Sequence, residues 1–549
     1  MSTSERRVES GDESVVDVLV VGAGFCGMYA VIQARRKGYS VLGIEAAAGV
    51  GGVWYWNRYP GARCDVESVD YSYSFDEELQ RDWVWTQRYA EQPEILAYAE
   101  FVAERYDLHR SFLFGTKIVS AVFDDSSTTW AVTTDADRTY RCRYLLLATG
   151  SLSAVNRTNI PGLDDFAGEL LHTADWPHRP VEFAGKRVGV IGTGSSGIQL
   201  VPVVAAAAEY LTVFQRTANY TVPVSNPAFT PDAWDKAQRE YPERRRKSFA
   251  SAGGSPHQAY HKEFEETDEG ERLAAFEARW NQGGVLFAKT FNRQTIDMEI
   301  NDAARLFAEA KIREIVKDPQ TADDLTPKNL PVGTKRMCTD SGYYEAFNRP
   351  NVDLVNLRRE PIVEITRWGV KTAQQSYELD MLVLATGFDA MTGALARIDL
   401  RGAKGVVLAE KWAAGPRTHL GTGVPGFPNM FILAGPGNPA VFATLMLAAE
   451  QQVDWLFALI DHSERHGHTY IDSTDEAADE WGEVVDAAAR ATLFMKSDTW
   501  YLGANIEGKP RVFVPFIGGL KIYSDHCDRN RDNGYPGWIF GPTAGGSGQ

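Results

Sequence analysis

Two stretches of the chain repeat one alternation of apolar and polar positions. The first begins with a β-branched run, Val15 to Val21, that leads directly into Gly22-Ala-Gly24-Phe-Cys-Gly27. Apolar residues at Met28, Ala30, Ile32 and Ala34 predict a helix, and Lys37-Gly38 predicts its end. A short strand, Ser40 to Ile44, follows and ends in Glu45. The second stretch has the same order: strand Lys186 to Ile191, Gly192-Thr-Gly194-Ser-Ser-Gly197, a helix through Ile198, Leu200 and Val201, and strand Leu211 to Phe214 ending in Gln215-Arg216. Two further runs, Tyr144 to Gly150 and Asp380 to Gly387, read as fully buried strands, each closing in Ala-Thr-Gly.

Composition narrows the class. The 549 residues are 44% hydrophobic and 23% charged, which excludes a disordered or collagen-like chain. The net charge of −17 argues against a dedicated nucleic-acid or anionic-membrane partner. Met1 to Ser14 is polar, and no run approaches the roughly 18–20 apolar residues of a membrane span, so a cytoplasmic protein with no membrane partner is expected. The five cysteines include no C-x-x-C pair, which disfavours a zinc site and a redox dithiol. The histidines at 462, 466 and 468 read as helix-end polarity, and no metal is expected.

A lone G-x-G-x-x-G is weak, but between strand and helix, with an acid 21 residues after Gly24, it is a dinucleotide fingerprint. Gly22 permits the tight turn, Gly24 lets a pyrophosphate approach the backbone, Gly27 lets helix and strand pack, and Glu45 suits a ribose hydroxyl. In the second copy Arg216 stands 22 residues after Gly194, where the first has its acid. An arginine there suits a 2′-phosphate, the alternative being a solvated surface residue. The first cradle therefore suits FAD and the second NADP.

The expected fold is α/β: two Rossmann-like dinucleotide-binding domains, for FAD and NADP, with an inserted helical subdomain. The layout places a disordered N-terminus over 1–14, a split FAD-binding domain over 15–150 and 381–540, an NADP-binding domain over 151–222 and 333–380, the helical subdomain over 223–332, and a flexible tail over 541–549. The basic run Arg244-Arg245-Arg246-Lys247 reads as a solvated helix face.

Between the cradles lies Phe166-Ala-Gly168-Glu-Leu-Leu-His172-Thr-Ala-Asp-Trp176-Pro177. Upstream stands Gly52-Val-Trp54-Tyr-Trp56-Asn-Arg58-Tyr59-Pro60-Gly61-Ala-Arg63-Cys-Asp65. With the two cradles, these segments resemble the signatures of type I Baeyer–Villiger monooxygenases, the single-chain FAD- and NADPH-dependent kind, over nearly the whole chain. The resemblance implies that NADPH reduces FAD and that oxygen forms a C4a-peroxyflavin. One oxygen atom is then inserted beside the carbonyl of a small-molecule ketone, giving an ester or lactone.

Site residues follow from the same resemblance. Arg336, in Lys335-Arg336, is implied as the cation that stabilises the peroxide, and Asp65 as the carboxylate that holds it, the lesser alternative for Asp65 being a turn or capping carboxylate. FAD contacts are implied at Val53, Trp54, Tyr55, Trp56, Tyr71, Ile118 and Leu445, besides Gly22, Gly24, Gly27, Glu45 and Asp65. NADP contacts are implied at Thr193, Gly194, Ser195, Ser196, Gly197, Ile198, Gln199, Arg216, Thr217, Lys335 and Arg336. Ala440, Val441, Phe442 and Leu445 are implied to line the ketone pocket, though helix core is the alternative for half of them. Their bulge resembles the longer version of the phenylacetone and steroid oxidisers. Trp500 matches a mobile segment that closes over substrate and NADP. Within the fingerprint Phe166, Gly168, His172, Trp176, the histidine and tryptophan are expected to be interdomain rather than catalytic. The other readings are a flavin monooxygenase oxidising nitrogen or sulfur, and a non-catalytic FAD/NADP-binding redox sensor. A monomer or weak homo-oligomer is expected.

Overall fold

The run Val15–Val21 forms a strand flanked by two parallel neighbours, Val41–Ile44 and Thr139–Leu147, in an eight-stranded sheet. Phe112–Leu113 and Met430–Ile432 extend the parallel part. Ile118–Asp124 and Thr129–Thr134 add an antiparallel hairpin, with Asp399–Arg401 at the edge. This computed structural model describes residues 15–543, so the expected disorder over 1–14 and the tail over 544–549 lie outside the described residues.

A second sheet of five parallel strands runs in the order Val352–Asn356, Tyr210–Gln215, Arg187–Ile191, Met381–Leu384, Glu169–His172. The sequence reading began the return to the first domain at residue 381. The structure places Met381–Leu384 inside the second sheet instead, paired on both sides. All four of its residues are buried, as befits an inner parallel strand covered on both faces. The chain next pairs with the first sheet at Asp399–Arg401.

Helix Phe25–Arg36 follows the first strand and ends on Lys37, with Gly38 at φ +85°. Its apolar residues are buried nearly all round, because the long helix Leu445–Arg465 covers it. Between Pro223 and Leu330 run the helices Pro231–Phe249, Glu269–Gln282, Met298–Ile315 and Pro319–Leu325. Each starts on a capping side chain, from Thr230, Asp268, Asp297 and Asp318.

Two sequence expectations fail here for tertiary reasons. Half of the basic run is not solvated. Arg244 bonds Glu67 and Asp70, and Arg245 is 6% exposed, donating to the Asp70 and Ser72 carbonyls and the Tyr241 hydroxyl. Only Arg246 and Lys247 stay outside, paired with Glu243 on their own helix. The flexible tail also starts too early. Residues 541–543 complete the strand Trp538–Thr543, whose ladder with His468–Ser473 sets Gly541 opposite Tyr470 and Thr543 opposite His468.

Candidate active site

One cleft of about 2660 Å³ runs between the two sheets and takes in the front of both glycine loops. The reasons for the glycines differ by position. Gly22 has φ +105°, and a Cβ there would lie 2.5 Å from the Ala148 carbonyl oxygen. Gly192 has φ +111°, and its Cβ would lie 2.4 Å from the Ala385 carbonyl oxygen. A Cβ on Gly27 would meet the Gly22 carbonyl at 1.9 Å, and one on Gly197 the Gly192 carbonyl at 2.2 Å. The first and third glycines are thus demanded by the protein's own backbone. The two Ala-Thr-Gly strand ends buttress the two loops, one each.

The middle glycines are different. A Cβ on Gly194 would have no atom within 4 Å, and one on Gly24 only the Gly52 Cα at 3.6 Å. No described residue crowds these positions, and both line the cleft. Each precedes a helix whose N-terminus has no side-chain cap. Unpaired helix amides beside open space form an anion cradle. Three cleft-lining residues, Asn57, Thr158 and Asn505, also hold side-chain oxygens with no partner. These features fit two dinucleotides, one at each loop.

Glu45 stands beside the first loop, 6% exposed, and accepts from the Ala23 amide at 2.6 Å and the Ala47 amide at 2.7 Å. Burial raises its pKa, and these backbone bonds oppose the rise. At the second loop, Thr193 donates to the Thr217 carbonyl at 3.0 Å. Lys335 lies where burial, then Arg216, lower its pKa; Arg358 does so as well, while Asp498 raises it. Arg358 donates to the Arg216 carbonyl at 3.1 Å and lines the same cleft. The result is a cationic corner of Arg216, Lys335 and Arg358.

Between the two loops, Asp65 and Arg336 form a bidentate pair, Nε to Oδ2 at 2.6 Å and Nη2 to Oδ1 at 2.7 Å. Arg336 Nη1 donates to the Val441 carbonyl at 2.7 Å. About a third of the Arg336 side chain, 32%, remains open to the cleft. Burial alone would lower the Arg336 pKa, but the charge and hydrogen bonds of Asp65 outweigh it, so the guanidinium stays ionised. The Tyr501 ring packs on Trp500 with centroids 4.1 Å apart and planes tilted by 42°, and burial pushes the pKa of its hydroxyl up while Arg336 opposes the shift.

Comparison with known proteins matches this geometry. Residues 16–241 match the family described as pyridine nucleotide-disulphide oxidoreductase. The dithiol chemistry in that description has no counterpart among the described residues, where all five cysteines are free and buried. A Baeyer–Villiger monooxygenase from Pseudooceanicola batsensis is 41% identical over 537 residues, covering 96% of this chain and 97% of the relative. The chain belongs to the Baeyer–Villiger monooxygenases. A solved structure titled as oxidised steroid monooxygenase bound to NADP is 50% identical, with a TM-score of 0.92, over 96% of this chain and 99% of that one. A phenazine N-monooxygenase from Lysobacter antibioticus is 38% identical over 544 residues, covering 96% of this chain and 98% of the relative.

For this Baeyer–Villiger monooxygenase, the cleft wall includes Gly22, Gly24, Glu45, Val53, Trp54, Trp56, Asp65, Tyr71, Ile118 and Leu445 on the first side. On the second it includes Thr193, Gly194, Ser195, Ser196, Gln199, Arg216, Thr217, Lys335 and Arg336, and near Arg336 it includes Ala440, Val441 and Trp500. Several expected contacts lie elsewhere. Tyr55 turns away to His178 and Arg58. The Ile198 side chain is 0% exposed in the core beneath the second sheet. Phe442 packs behind the wall on Phe494, Tyr501 and Phe513. Gln199 stays on the wall, with its Oε1 accepting from the Tyr59 hydroxyl at 2.9 Å and its Nε2 donating to the Arg63 carbonyl at 3.0 Å.

The fingerprint sits off the cleft. A Cβ on Gly168 would collide with the Asp380 carbonyl and the Phe166 ring, each at 2.5 Å, which explains that Phe–Gly pairing. His172 Nδ1 accepts from the Ala174 amide at 3.0 Å, so Nε2 carries the proton toward Thr386 Oγ1 at 3.1 Å. Burial lowers its pKa, keeping it neutral. Trp176 is buried against Phe183, and its amide donates to the Trp56 carbonyl. Sequence reasoning missed Arg358, which follows the strand Val352–Asn356, and Gln452. The latter is buried and holds the Ala434 amide at 2.7 Å, fixing Ala434 on the cleft wall at φ +52°.

Proposed function

We propose that the protein is an NADPH-dependent flavoprotein that inserts one oxygen atom of O2 beside the carbonyl of a ketone, yielding an ester or lactone. The observation that carries this reading is the Asp65–Arg336 pair, a fixed and ionised guanidinium on the wall of the cleft that joins the two dinucleotide cradles. Gly24, Trp54, Asp65 and Glu45 would hold FAD, which would supply the oxygen-transfer chemistry, and the second cradle would hold NADPH as its reductant.

The chain's own residues supply the rest. Gly24 and Gly194 admit the two pyrophosphates to the helix amides. Arg216, Lys335 and Arg358 together make a corner for a 2′-phosphate, which favours NADPH over NADH. Arg336 has N–H groups beyond its three bonds to Asp65 and Val441, and they serve an oxygen that gathers negative charge in the cleft. Asp65 holds the guanidinium plane so that no reorganisation is needed when that charge develops. Val441, Ala440, Leu445 and Trp500 form apolar walls that exclude water. Likeness to the steroid monooxygenase supports a substrate of the steroid class.

The test uses purified yellow protein with NADPH in air and a panel of ketones: phenylacetone, cyclohexanone, a large-ring ketone and a 20-ketosteroid. Ester products heavier by one oxygen are expected. A second reading, N-oxidation, draws on the phenazine N-monooxygenase likeness. N-oxide formation from a phenazine with no ester from any ketone would establish it instead.

A further inference from the structure

Arg336 is held at two points, the Asp65 carboxylate and the Val441 carbonyl. Both anchors trace back to the helical insertion. The Asp65 side is tied through Glu67, two residues on, whose side chain is only 11% exposed. Its Oε1 accepts from Arg88 Nε at 2.8 Å and from His257 Nε2 at 3.1 Å, and its Oε2 accepts from Arg244 Nη2 at 2.6 Å. Arg244 stands on the helix Pro231–Phe249 and His257 on the loop after it. Arg88 also donates to the carbonyl of Gln282, the last residue of the helix Glu269–Gln282. Burial would raise the Glu67 pKa, but the His257 hydrogen bond and the charges of Arg244 and Arg88 outweigh it, so the carboxylate stays ionised.

The Glu67 carbonyl accepts from the Asp70 and Tyr71 amides, each at 2.9 Å, and folds residues 65–71 into a turn. Asp65 and Tyr71, at its two ends, line the cleft, and Glu67 between them does not. The Val441 side is tied to the loop that carries His257. The Gly253 carbonyl accepts from the Thr444 amide at 3.1 Å, and the Gly254 carbonyl from the Thr444 hydroxyl at 2.8 Å. A Cβ on Gly254, at φ +64°, would lie 3.0 Å from the Thr444 amide nitrogen, so glycine permits this close approach. Residues 253–257 therefore reach both anchors of the guanidinium.

Apolar packing would join the turn to the insertion at less cost than a buried ion cluster. What the cluster adds is direction. Bonds to both oxygens fix the rotation of the Glu67 carboxylate, and a two-residue link passes that constraint to Asp65. The geometry points to Glu67 as a positioning residue that fixes the Asp65 turn on the helical insertion and so sets the plane of the Arg336 guanidinium. The insertion, which holds neither glycine loop, thereby serves the oxygenation step. The assignment rests on the role given to Arg336 in the ketone-oxidising reading above and deepens it.

The test is a double-mutant cycle on the flavin-loaded enzyme. Glu67→Gln removes the charge and keeps the shape. Ester formed per NADPH consumed should fall roughly tenfold, with the KM for NADPH and the anaerobic rate of flavin reduction unchanged. In Arg336→Lys, where the planar fork is already lost, adding Glu67→Gln should lower the yield no further. Hydrogen–deuterium exchange without turnover should speed up in Glu67→Gln over residues 65–71 and stay as in wild type over the first cradle, 22–27. A wild-type yield in Glu67→Gln, losses that multiply in the double variant, or exchange that rises over both segments alike overturns the assignment. If Glu67→Gln sheds its flavin, Arg244→Lys, which keeps the charge and loses the fork, goes through the same cycle. A wild type that gives N-oxide and no ester strikes the ketone reading, and the cycle is then read on the N-oxide.

Discussion

Asp65 grips Arg336 through both Nε and Nη2, across 271 residues of sequence. The loop that follows the first cradle thereby orients a side chain placed after the helical insertion. Arg336→Lys keeps a positive charge but loses the planar fork that the carboxylate grasps. Ester formation should fall about 10²- to 10³-fold, with flavin content and thermal stability near wild type. Product yield per NADPH consumed measures this, and full ester yield in the variant would refute the role.

The glycines divide into those the protein demands and those it does not. Gly192→Ala puts a Cβ against the Ala385 carbonyl from a left-handed backbone, and should destabilise the fold by more than about 2 kcal/mol. Gly194→Ala meets no protein atom, and should leave the melting temperature within about 2 °C of wild type while raising the KM for NADPH at least about tenfold. Calorimetry and steady-state kinetics on the two variants separate the effects. A large loss of stability in Gly194→Ala would contradict the assignment of that space to a ligand.

Arg216→Ala and Arg358→Ala should each raise the KM for NADPH by roughly 10-fold and leave that for NADH nearly unchanged, because only the 2′-phosphate is lost as a partner. An equal penalty on both coenzymes would place these arginines outside the phosphate site.

Glu450 gives a pH signature. It is 3% exposed, accepts from the Ser74 amide at 2.6 Å, and burial raises its pKa from 4.5 to about 7 while the Ser74 bonds oppose the shift. The folded protein therefore holds a proton that the unfolded chain releases between those values. Folding stability contributed by this group is highest below pH 4.5 and falls as pH rises through about 7. Glu450→Gln should thus gain stability relative to wild type on going from pH 5 to pH 8, by roughly 1–3 kcal/mol. Denaturant unfolding of both proteins at the two pH values checks the sign.

The two cradles were readable because glycine spacing is set by backbone clashes that recur in every such loop, as Gly22 on Ala148 and Gly192 on Ala385 show. Arg336 was readable only through family resemblance, since a Lys-Arg pair carries no sign of the distant Asp65. Arg358 left no mark, because its neighbour Arg216 is brought beside it by strand pairing and not by spacing. Arg244 and Arg245 were misread as solvated because their partners, Glu67, Asp70 and Ser72, lie more than 170 residues upstream. Phe442 and Val441 are chain neighbours of like polarity, and only packing decides that Val441 faces the cleft while Phe442 backs the wall.

Gln199 belongs to the first turns of the helix behind the second cradle, yet its amide closes on Tyr59 and Arg63, and its own carbonyl leaves no room for a side chain on Gly61. Arg63 is two residues from Asp65. A side-chain strut thus ties the helix that opens at the second cradle to the loop that carries the Asp65 carboxylate to Arg336.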